Sequence, residues 1–572
     1  MTQEHTTAHD APRIGVFVCD CGSNIAGHLD CADVAAYAET LPHVVYVKEN
    51  LYTCSESGIV EIKNAIVQEK LNRVLVASCS PRTHHPLFAS SCAEAGLNPY
   101  LFEMVNIRDQ CSWVHMGNRE RATEKAKDLV KMGVAKAAGL EPQEEISSSL
   151  IRKILVVGGG IAGLSAAQAL ADMDLEVILV EKTNEFGGLL QSIGTLETGE
   201  TAKDFLARVV CDVEDRPNIT CHKNARVTST GGYIGNYRIT LDTPEGKVTD
   251  KVGAMVVAAG AVPLSPEGLF GYGEGSDGSS SDSGKGVVSL MELEQHLRDD
   301  TLDAAGFTGK RMVFIQCAGA RTKGREYCSR ICCMTAVKNA MAVKKRYPLA
   351  DVRILYRDMQ MYGTHKEQML WDARGMGVRF DVYAPDNPPR VENGQVRYFR
   401  TVTGEDLELD TDLVVLSTPL TARSGAGALA NMLRVPTDQN GFFLEAHAKL
   451  RPLDFAADGI FVAGAGRYPA TSTESRTQGI GVASRVAAIL FKDKLVKSAI
   501  VAGIDPDSCV GCLSCLPMCP YEAITYDRDE RVCRINEVLC KGCGNCAATC
   551  PSHSAMLRGY KPEQLLAQIG AI

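Results

Sequence analysis

Eight cysteines near the end of the chain repeat the spacing C-x2-C-x2-C-x3-C-P twice. Runs of this kind bind two [4Fe–4S] clusters, and the fourth cysteine of each run binds the cluster of the other run. A zinc ribbon is the alternative, but it needs only four thiolates and gives the third cysteine of each triplet and the Cys-Pro ending no purpose. The spacing therefore predicts electron transfer through two clusters, one on Cys509, Cys512, Cys515 and Cys550, the other on Cys540, Cys543, Cys546 and Cys519.

Four more cysteines follow the predicted strand RMVFIQ (311–316) with the spacing C-x10-C-x3-CC. No GxGxxG follows this strand, so a nicotinamide would find no phosphate loop there. Because there are four thiols, and because they stand where that loop is missing, we expect a third [4Fe–4S] cluster. A redox disulfide between Cys328 and Cys332 is the alternative. The cluster ligands would be Cys317, Cys328, Cys332 and Cys333.

The first 140 residues predict a small α/β layer whose ligands would gather at the carboxyl ends of its strands. One thiolate from each strand end would make a fourth cluster site, whereas the alternative is that the cysteines are buried apolar residues. Cys31 and Cys92, in predicted helices, fit that alternative better. The predicted strands are IGVFVC (14–19), VVYVKEN (44–50), RVLVASC (73–79) and NPYLFEM (98–104). The candidate ligands are Cys19, Cys21, Cys54, Cys79 and Cys111.

A dinucleotide-binding domain is predicted from residue 151 onward. The strand KILVV (153–157) runs into GGGIAG and a helix, and a second strand ends at an acidic residue. Such glycines allow a tight turn, close approach to a pyrophosphate and close helix packing, while the acid accepts hydrogen bonds from ribose. The segments MVVAAGAVP (255–263) and GIFVAGAG (459–466) favour FAD over NAD. The candidate cofactor-binding residues are Gly158, Gly160, Ile161, Ala162, Gly163, Glu181, Lys182, Gly187, Gly188, Ala259, Gly260, Gly464, Ala465 and Gly479.

Composition excludes several classes of function. The 572-residue chain has a formal net charge of −9 and no basic block, so nucleic acid is not an expected partner. No run of about 18 apolar residues predicts a membrane span, and the polar N-terminus lacks a secretory signal. We therefore expect a cytoplasmic location, where 22 cysteines indicate metal and redox chemistry rather than disulfides. Clusters are oxygen-sensitive, which favours an anaerobic organism.

The expected fold class is α/β, with thioredoxin reductase-like Rossmann domains between a small α/β cluster domain and a 2×[4Fe–4S] ferredoxin domain. A linker is expected at 141–150, and Cys211, Cys221 and Cys533 are expected to be ordinary core residues. The predicted divisions are a disordered tail at 1–13, the N-terminal domain at 14–140, the first FAD half at 151–263, a Gly/Ser loop at 264–286, the second Rossmann-like domain at 287–420, the second FAD half at 421–497 and the ferredoxin domain at 498–572.

The ordered motifs resemble the A-type subunit of heterodisulfide reductase over essentially the whole chain after residue 13. They are CDCG, YTCSE, ASCSPRTHH, GLNPYLFEMVNIRDQCSWVH, GGGIAGL, IQCAGAR…CSRICC and the twin ferredoxin runs. The resemblance implies a hub that binds FAD and clusters and works with B- and C-type subunits, ferredoxin, and a hydrogenase, formate dehydrogenase or NADH-oxidising partner. In methanogens the flavin of such proteins is thought to bifurcate electron pairs. Longer members carry an extra ferredoxin module where this chain has 264–286.

These observations favour an electron-transfer oxidoreductase component of an oligomeric complex, with no classical catalytic acid, base or nucleophile of its own. The main alternative is a self-contained NAD(P)H-dependent flavin disulfide oxidoreductase that uses Cys328 and Cys332. A scaffold with vestigial cluster sites would contain flavin without matching iron. Four clusters imply about 16 irons per flavin, and three imply about 12.

Overall fold

Two units divide the computed structural model, which describes residues 11–273, 286–392 and 394–572. One unit joins residues up to Ser147 with Val496–Ile572, and the other spans Ser148–Leu495. Most of the predicted tail and the centre of the predicted Gly/Ser loop (1–10 and 274–285) lie outside the described residues. No helix in the described ranges is long and apolar enough to cross a membrane.

The chain begins with a four-stranded parallel sheet in the order β2-β1-β3-β4. Its fourth strand starts later than predicted, because the side chain of Asn98 accepts the N–H of Tyr100 (3.1 Å) and starts a 3-10 turn. The elements are β1 Ile14–Cys19, α1 Cys31–Glu39, β2 Val44–Asn50, α2 Glu56–Gln68, β3 Arg73–Ser78, α3 Pro81–Glu94, β4 Phe102–Asn106 and α4 Arg119–Ala138. The predicted linker at 141–150 contains β5 Ile146–Ser148.

The second unit starts with the predicted strand–glycine–helix arrangement. A second strand lies parallel to the first, and an antiparallel three-stranded sheet follows. The elements are β6 Lys153–Val157, α5 Ile161–Ala171, β7 Glu176–Val180, α6 Ala202–Glu214, β8 Ile219–His222, β9 Arg226–Tyr233, β10 Asn236–Thr243, β11 Gly246–Val252, β12 Ala254–Val257 and β13 Ala261–Pro263.

A second five-stranded parallel sheet, β14-β21-β15-β16-β17, forms the inserted Rossmann-like domain. Residues 264–273 belong to it rather than to a loop: Leu269, Phe270 and Tyr272 pack on its core, and the Tyr272 hydroxyl donates to Glu292 (2.7 Å). The elements are β14 Val287–Ser289, α7 Leu290–Asp299, β15 Arg311–Ile315, α8 Cys332–Arg346, β16 Asp351–Tyr356, α9 Thr364–Gly375, β17 Arg379–Val382, β18 Arg390–Glu392, β19 Gln395–Arg400, β20 Glu405–Asp410, β21 Leu413–Leu416 and β22 Leu420–Ala422.

The chain then returns to the first parallel sheet of the second unit. Strand β23 pairs with β12 and completes the order β23-β12-β6-β7-β8, so two segments about 200 residues apart build one sheet. The long helix α11 packs against α5 beside this sheet. The elements are α10 Ala426–Leu433, β23 Ile460–Val462, α11 Ser472–Leu490 and β24 Leu495–Lys497, which pairs with β5.

The cysteine-rich C-terminal segment forms two antiparallel strand pairs and belongs to the same unit as the N-terminal sheet. Helix α13 packs on α4, where the side chain of Gln564 donates to the Gly139 carbonyl (2.7 Å). The backbone N–H of Ala499 donates to the hydroxyl of Tyr100 (2.8 Å). The elements are β25 Ala502–Ile504, β26 Ile524–Asp527, β27 Val532–Ile535, α12 Asn545–Thr549, β28 Ala555–Leu557 and α13 Pro562–Gly570.

Candidate functional site

A cavity of about 690 Å³ lies in the second unit, next to the glycine-rich turn between β6 and α5. It is large enough for a dinucleotide, and it is lined by residues from both segments that build the first parallel sheet and from the inserted domain. Most of the predicted cofactor-binding residues line it: Gly158, Gly160, Ile161, Ala162, Glu181, Lys182, Gly187, Gly188, Ala259, Gly260 and Ala465.

The remaining three predicted residues, Gly163, Gly464 and Gly479, do not line the cavity and serve packing instead. A Cβ on Gly163 would lie 1.9 Å from the carbonyl oxygen of Gly158. A Cβ on Gly479 of α11 would lie 2.3 Å from the carbonyl oxygen of Ala162. Glycine at these positions therefore lets α5 approach both the turn and α11 closely enough to hold the cavity wall.

One end of the cavity is built around the carboxylate of Glu181. One carboxylate oxygen accepts the N–H of Gly159 (2.8 Å), and the other accepts the N–H and the hydroxyl of Thr183 (2.9 Å each). These bonds fix the carboxylate at the tip of β7, the position at which dinucleotide-binding folds hold an adenosine ribose.

The same end of the cavity carries an excess of positive charge. Burial, then the neighbouring charge of Arg423, lowers the pKa of Lys182, and Arg226 adds to this effect. The Nε atom of Arg423 is buried without a hydrogen-bond partner among the described residues. An anionic diphosphate would balance these charges, so the residues present fit a bound dinucleotide.

The other end of the cavity is walled by helix α8. Ile331, Met334, Thr335 and Lys338 line it at intervals of three and four residues, so they share one face of the helix. Lys338 forms an ion pair of 2.6 Å with the buried Glu294 of α7. Sequence reasoning missed this pair, and a lysine within an otherwise apolar helical stripe is the signal that could have revealed it.

Helix α8 also begins with two of the predicted cluster ligands, Cys332 and Cys333. Burial raises the pKa of both thiols to about 12, and the neighbouring thiols of Cys317 and Cys328 act in the same direction. These mutual effects place all four predicted cysteines together at the carboxyl end of β15. The donor set, four thiols at one site, fits a [4Fe–4S] cluster.

Two arginines face this cysteine group. Burial raises the pKa of Cys317, whereas the guanidinium groups of Arg357 and Arg321 lower it. The backbone N–H of Arg330 donates to the sulfur of Cys328 (3.3 Å). Positive charges and N–H donors of this kind stabilise thiolates and reduced clusters, which carry negative charge.

The N-terminal sheet gathers four of its five candidate cysteines. Burial raises the pKa of Cys21 and Cys79, and in both cases the thiols of Cys19 and Cys54 add to the effect while the charge of Arg108 opposes it. The Cys79 sulfur also lies 3.1 Å from Nδ1 of His84. These four thiols meet at one edge of the sheet and fit a cluster.

Cys111 lies outside this group, unlike the sequence expectation that included it among the candidates. It is fully buried, and burial raises its pKa to about 11, with Lys125 and Asp128 of α4 as its charged neighbours. The backbone forms a single π-helical turn over Arg108–Ser112, which directs the thiol into the core. Cys31 and Cys92 are also buried in helices, as expected.

The C-terminal segment gathers both predicted ferredoxin sets. Cys519, Cys540, Cys543 and Cys546 line one small cavity, so the cysteine from the first run joins three from the second. In the other set, Cys550 lies near enough to Cys512 to raise its pKa, although hydrogen bonds from Ser514 lower that pKa more strongly.

Cys533, expected to be an ordinary core residue, adjoins the first ferredoxin set. It is buried, and its thiol interacts with those of Cys515, Cys509 and Cys512. In the described parts of the chain, no three His, Cys, Asp or Glu side chains are arranged to hold a single metal ion. A cubane differs from such an ion because each thiolate binds a different iron.

Family models match two parts of the chain. Residues 156–220 match the NAD(P)-binding Rossmann-like domain, and residues 508–554 match the 4Fe-4S dicluster domain. The first match covers the turn and helix beside the cavity, and the second covers both ferredoxin runs. The predicted α/β fold with a C-terminal ferredoxin domain is therefore confirmed.

Several relatives match nearly the whole chain. The chain is 36% identical to the A-type iron–sulfur subunit, number 2, of the CoB–CoM heterodisulfide reductase of Methanopyrus kandleri, over 90% of this chain and 92% of that protein. It is 35% identical to the corresponding protein of Methanocaldococcus jannaschii, over 98% of each. It is 34% identical to the A-type subunit of the H2:CoB-CoM heterodisulfide, ferredoxin reductase of Methanothermobacter marburgensis, over 100% and 99%.

Among solved structures, thioredoxin reductase of Lactococcus lactis is 18% identical over 59% of this chain and 98% of that one, with a TM-score of 0.41. Thioredoxin reductase of T. acidophilum gives 19% identity and a TM-score of 0.39 over the same shares.

Proposed function

This chain belongs to the family of A-type iron–sulfur subunits of heterodisulfide reductase, and we propose that it is the hub through which electrons pass between the other subunits of such a complex. It is an oxidoreductase subunit, and its cofactors are FAD and [4Fe–4S] clusters. When bound, FAD exchanges electrons in pairs or singly and the clusters exchange them singly, so together they connect two-electron donors with one-electron carriers.

The observation that carries this proposal is the double role of helix α8. Its first residues, Cys332 and Cys333, belong to the four-thiol group, while Met334, Thr335 and Lys338 line the dinucleotide cavity. One rigid element therefore sets the distance between a cluster site and the end of the cavity remote from Glu181. That is the end at which the isoalloxazine ring would lie, because Glu181 stands at the ribose position.

The protein's own residues hold and tune these sites. Glu294, held by the N–H of Gly194 (3.1 Å), fixes the ammonium of Lys338 at the cavity wall. A positive charge there would favour the reduced, more negative form of a bound flavin. Arg321 and Arg357 act in the same sense on the cysteine group. Catalysis by this protein thus needs positioning and electrostatics, and we assign no acid, base or nucleophile.

We infer four clusters. Two belong to the ferredoxin sets, one to Cys317, Cys328, Cys332 and Cys333, and one to Cys19, Cys21, Cys54 and Cys79. The N-terminal set and the ferredoxin sets lie in one unit, and the third set shares the other unit with the cavity. Four clusters would give about 16 irons per flavin.

The proposed partners follow from the relatives. Proteins similar to this chain are named for reactions with ferredoxin, H2, formate or F420H2 and with the CoB–CoM heterodisulfide. We propose B- and C-type subunits as the site of disulfide reduction. The proposed donor is a hydrogenase, a formate dehydrogenase or an NADH-oxidising partner, in a cytoplasmic complex. Bifurcation at the flavin is part of this proposal.

An anaerobic titration of the purified chain with NADH and NADPH, followed by the flavin absorbance, tests the hub against a self-contained NAD(P)H-dependent enzyme. The hub predicts no bleaching by either nucleotide and prompt bleaching by dithionite or reduced ferredoxin. Stoichiometric bleaching by NADH or NADPH would contradict it and favour the disulfide oxidoreductase that uses Cys328 and Cys332.

A further inference from the structure

Arg330 stands between two of the four thiols of the inserted domain and reaches out of their loop with its whole side chain. One guanidinium nitrogen donates to the hydroxyl of Tyr362 (2.7 Å) and to a carboxylate oxygen of Glu474 (2.8 Å). The other terminal nitrogen donates to the carbonyl of Pro469 (3.2 Å). The loop is therefore tied to a chain segment more than 130 residues away.

The guanidinium is also stacked between two aromatic rings. Its carbon lies 5.4 Å from the ring centre of Tyr362 and 4.9 Å from that of Tyr468. This combination of stacking and forked hydrogen bonding requires a planar guanidinium, and a lysine ammonium could not reproduce it.

The backbone of Arg330 is held in an unusual conformation. Its φ is +62°, in the left-handed region that non-glycine residues rarely adopt. Cys317, another thiol of the group, has a φ of +59°. Such conformations persist only where their surroundings enforce them. At Arg330 the result is that the N–H points at the sulfur of Cys328 (3.3 Å), and the anchored side chain is what enforces it.

The far end of this connection is the first turn of α11. Glu474 and Thr471 form a capping box: Glu474 accepts the N–H of Thr471 (2.9 Å) and donates its own N–H to the Thr471 hydroxyl (3.1 Å). Thr471, Ser472 and Ser475 of this same turn line the dinucleotide cavity. Arg330 thus links the thiol loop to a second wall of the cavity, in addition to the wall that α8 forms.

We propose that Arg330 is a positioning residue that sets the reduction potential of the cluster held by this loop by clamping the loop to Glu474. The proposal rests on the cluster assigned above to the four thiols. Its physical basis is that N–H bonds to cluster sulfurs and the surrounding groups that orient the ligands determine the potential. Loss of the clamp would relax the backbone at Arg330, weaken the N–H bond to Cys328 and make the cluster harder to reduce.

Two substitutions separate the clamp from the cluster itself. Arg330→Lys keeps the charge but removes the fork and the stacking. Glu474→Gln keeps the capping box, which accepts glutamine, but removes the carboxylate partner, and it leaves the cysteine loop unaltered. Arg485→Lys is the matched control, because Arg485 pairs with Asp454 (2.9 Å) from the same helix without contacting the loop.

The measurement is a redox titration of the full flavin-loaded chain monitored by EPR, with iron and flavin determined on each variant. We expect R330K and E474Q to shift the midpoint potential of one cluster to lower values, and the double variant to add little to either shift. The other clusters in these variants, and all clusters in R485K, should keep wild-type potentials.

The outcomes separate this proposal from the one beneath it. Cys317→Ser identifies the signal of the cluster in question, and if it removes no signal and no iron, the cluster assignment itself fails. If the signal is assigned and E474Q leaves its potential unchanged, the clamp is wrong whether or not R330K retains its iron. A shifted potential in E474Q with additive effects in the double variant would also overturn it.

Discussion

The ammonium of Lys338 lies 2.6 Å from a carboxylate oxygen of Glu294, and only 2% of the Glu294 side chain is exposed. The two residues come from α8 and α7 and meet at the cavity wall. A buried carboxylate that loses its cation is left without compensation, which is far more costly than the absence of both charges.

Lys338→Met should therefore lower the free energy of unfolding of the second unit by about 3–5 kcal/mol. K338M/E294Q should recover most of this loss, because the double variant no longer buries a lone charge. Lys345→Met, at an exposed position of the same helix, is the control and should change stability by less than about 0.5 kcal/mol. Chemical denaturation of the flavin-loaded chain measures all three, and equal effects of K338M and K345M would refute the buried pair.

Cys54→Ser and Cys111→Ser form a matched pair at the N-terminal sheet. The first removes a thiol from the four-cysteine group, so iron should fall from about 16 to about 12 per flavin. The second removes a thiol that faces the core near Lys125 and should leave iron unchanged. Iron and flavin analysis of anaerobically purified protein decides this, and the reverse pattern would exchange the two residues in the ligand set.

Cys317→Ser should likewise remove about four irons, those of the inserted domain, while FAD remains bound. The reason is that Cys317 belongs to the thiol group at the end of β15 but does not line the cavity. The iron-to-flavin ratio and the flavin spectrum are the readouts. Unchanged iron would restore the interpretation of Cys328 and Cys332 as a redox disulfide.

Two glycines of the cavity turn should respond differently to alanine. At Gly163 the new methyl would lie 1.9 Å from a carbonyl oxygen, so G163A should lower stability and lose FAD together. At Gly160 the methyl meets no atom within 4 Å, and φ is −76°, so G160A should fold normally. Its methyl would occupy the approach to the pyrophosphate, and FAD affinity should fall. Thermal unfolding and flavin retention together test the distinction, which fails if G160A binds FAD like the wild type.

Removal of Lys136 should make stability more dependent on pH. Its ammonium lies 2.8 Å from Glu103 and 4.3 Å from the ring centre of Tyr560, so it joins β4 and the C-terminal segment. Burial raises the pKa of Glu103, although Lys136 opposes this effect. A raised carboxyl pKa means that the folded state holds its proton more tightly, so this contribution to stability is lost as the pH rises through the folded-state pKa.

Lys136→Met takes away the opposing charge, and its loss of stability should be larger at about pH 8 than at about pH 6. Lys131→Met, on the same helix and without an ion pair among the described residues, should show no such trend. Denaturation at both pH values measures the difference. A loss that does not grow with pH would mean that Glu103 stays ionised and solvated.

Spacing and strand order predicted most of the sites, because thiols at strand ends and glycines after a strand report backbone position directly. Side-chain direction was not predictable in the same way. Cys111 follows a strand as Cys79 does, yet a π-helical turn directs it into the core. The pair Lys338–Glu294 and the clamp from Arg330 to Glu474 join residues 44 and 144 positions apart, and no local pattern encodes such contacts.

The unit that contains both the first and the last residues of the chain has a consequence for its birth on the ribosome. The N-terminal sheet leaves the ribosome early, but the groups that cover Tyr100, Lys136 and Gly139 are synthesised only after Ser148–Leu495. At 5–20 residues per second, this delay is roughly 20–70 s. For that time the newborn sheet has to persist with one face of α4 bare, and its completion depends on the final stretch of translation.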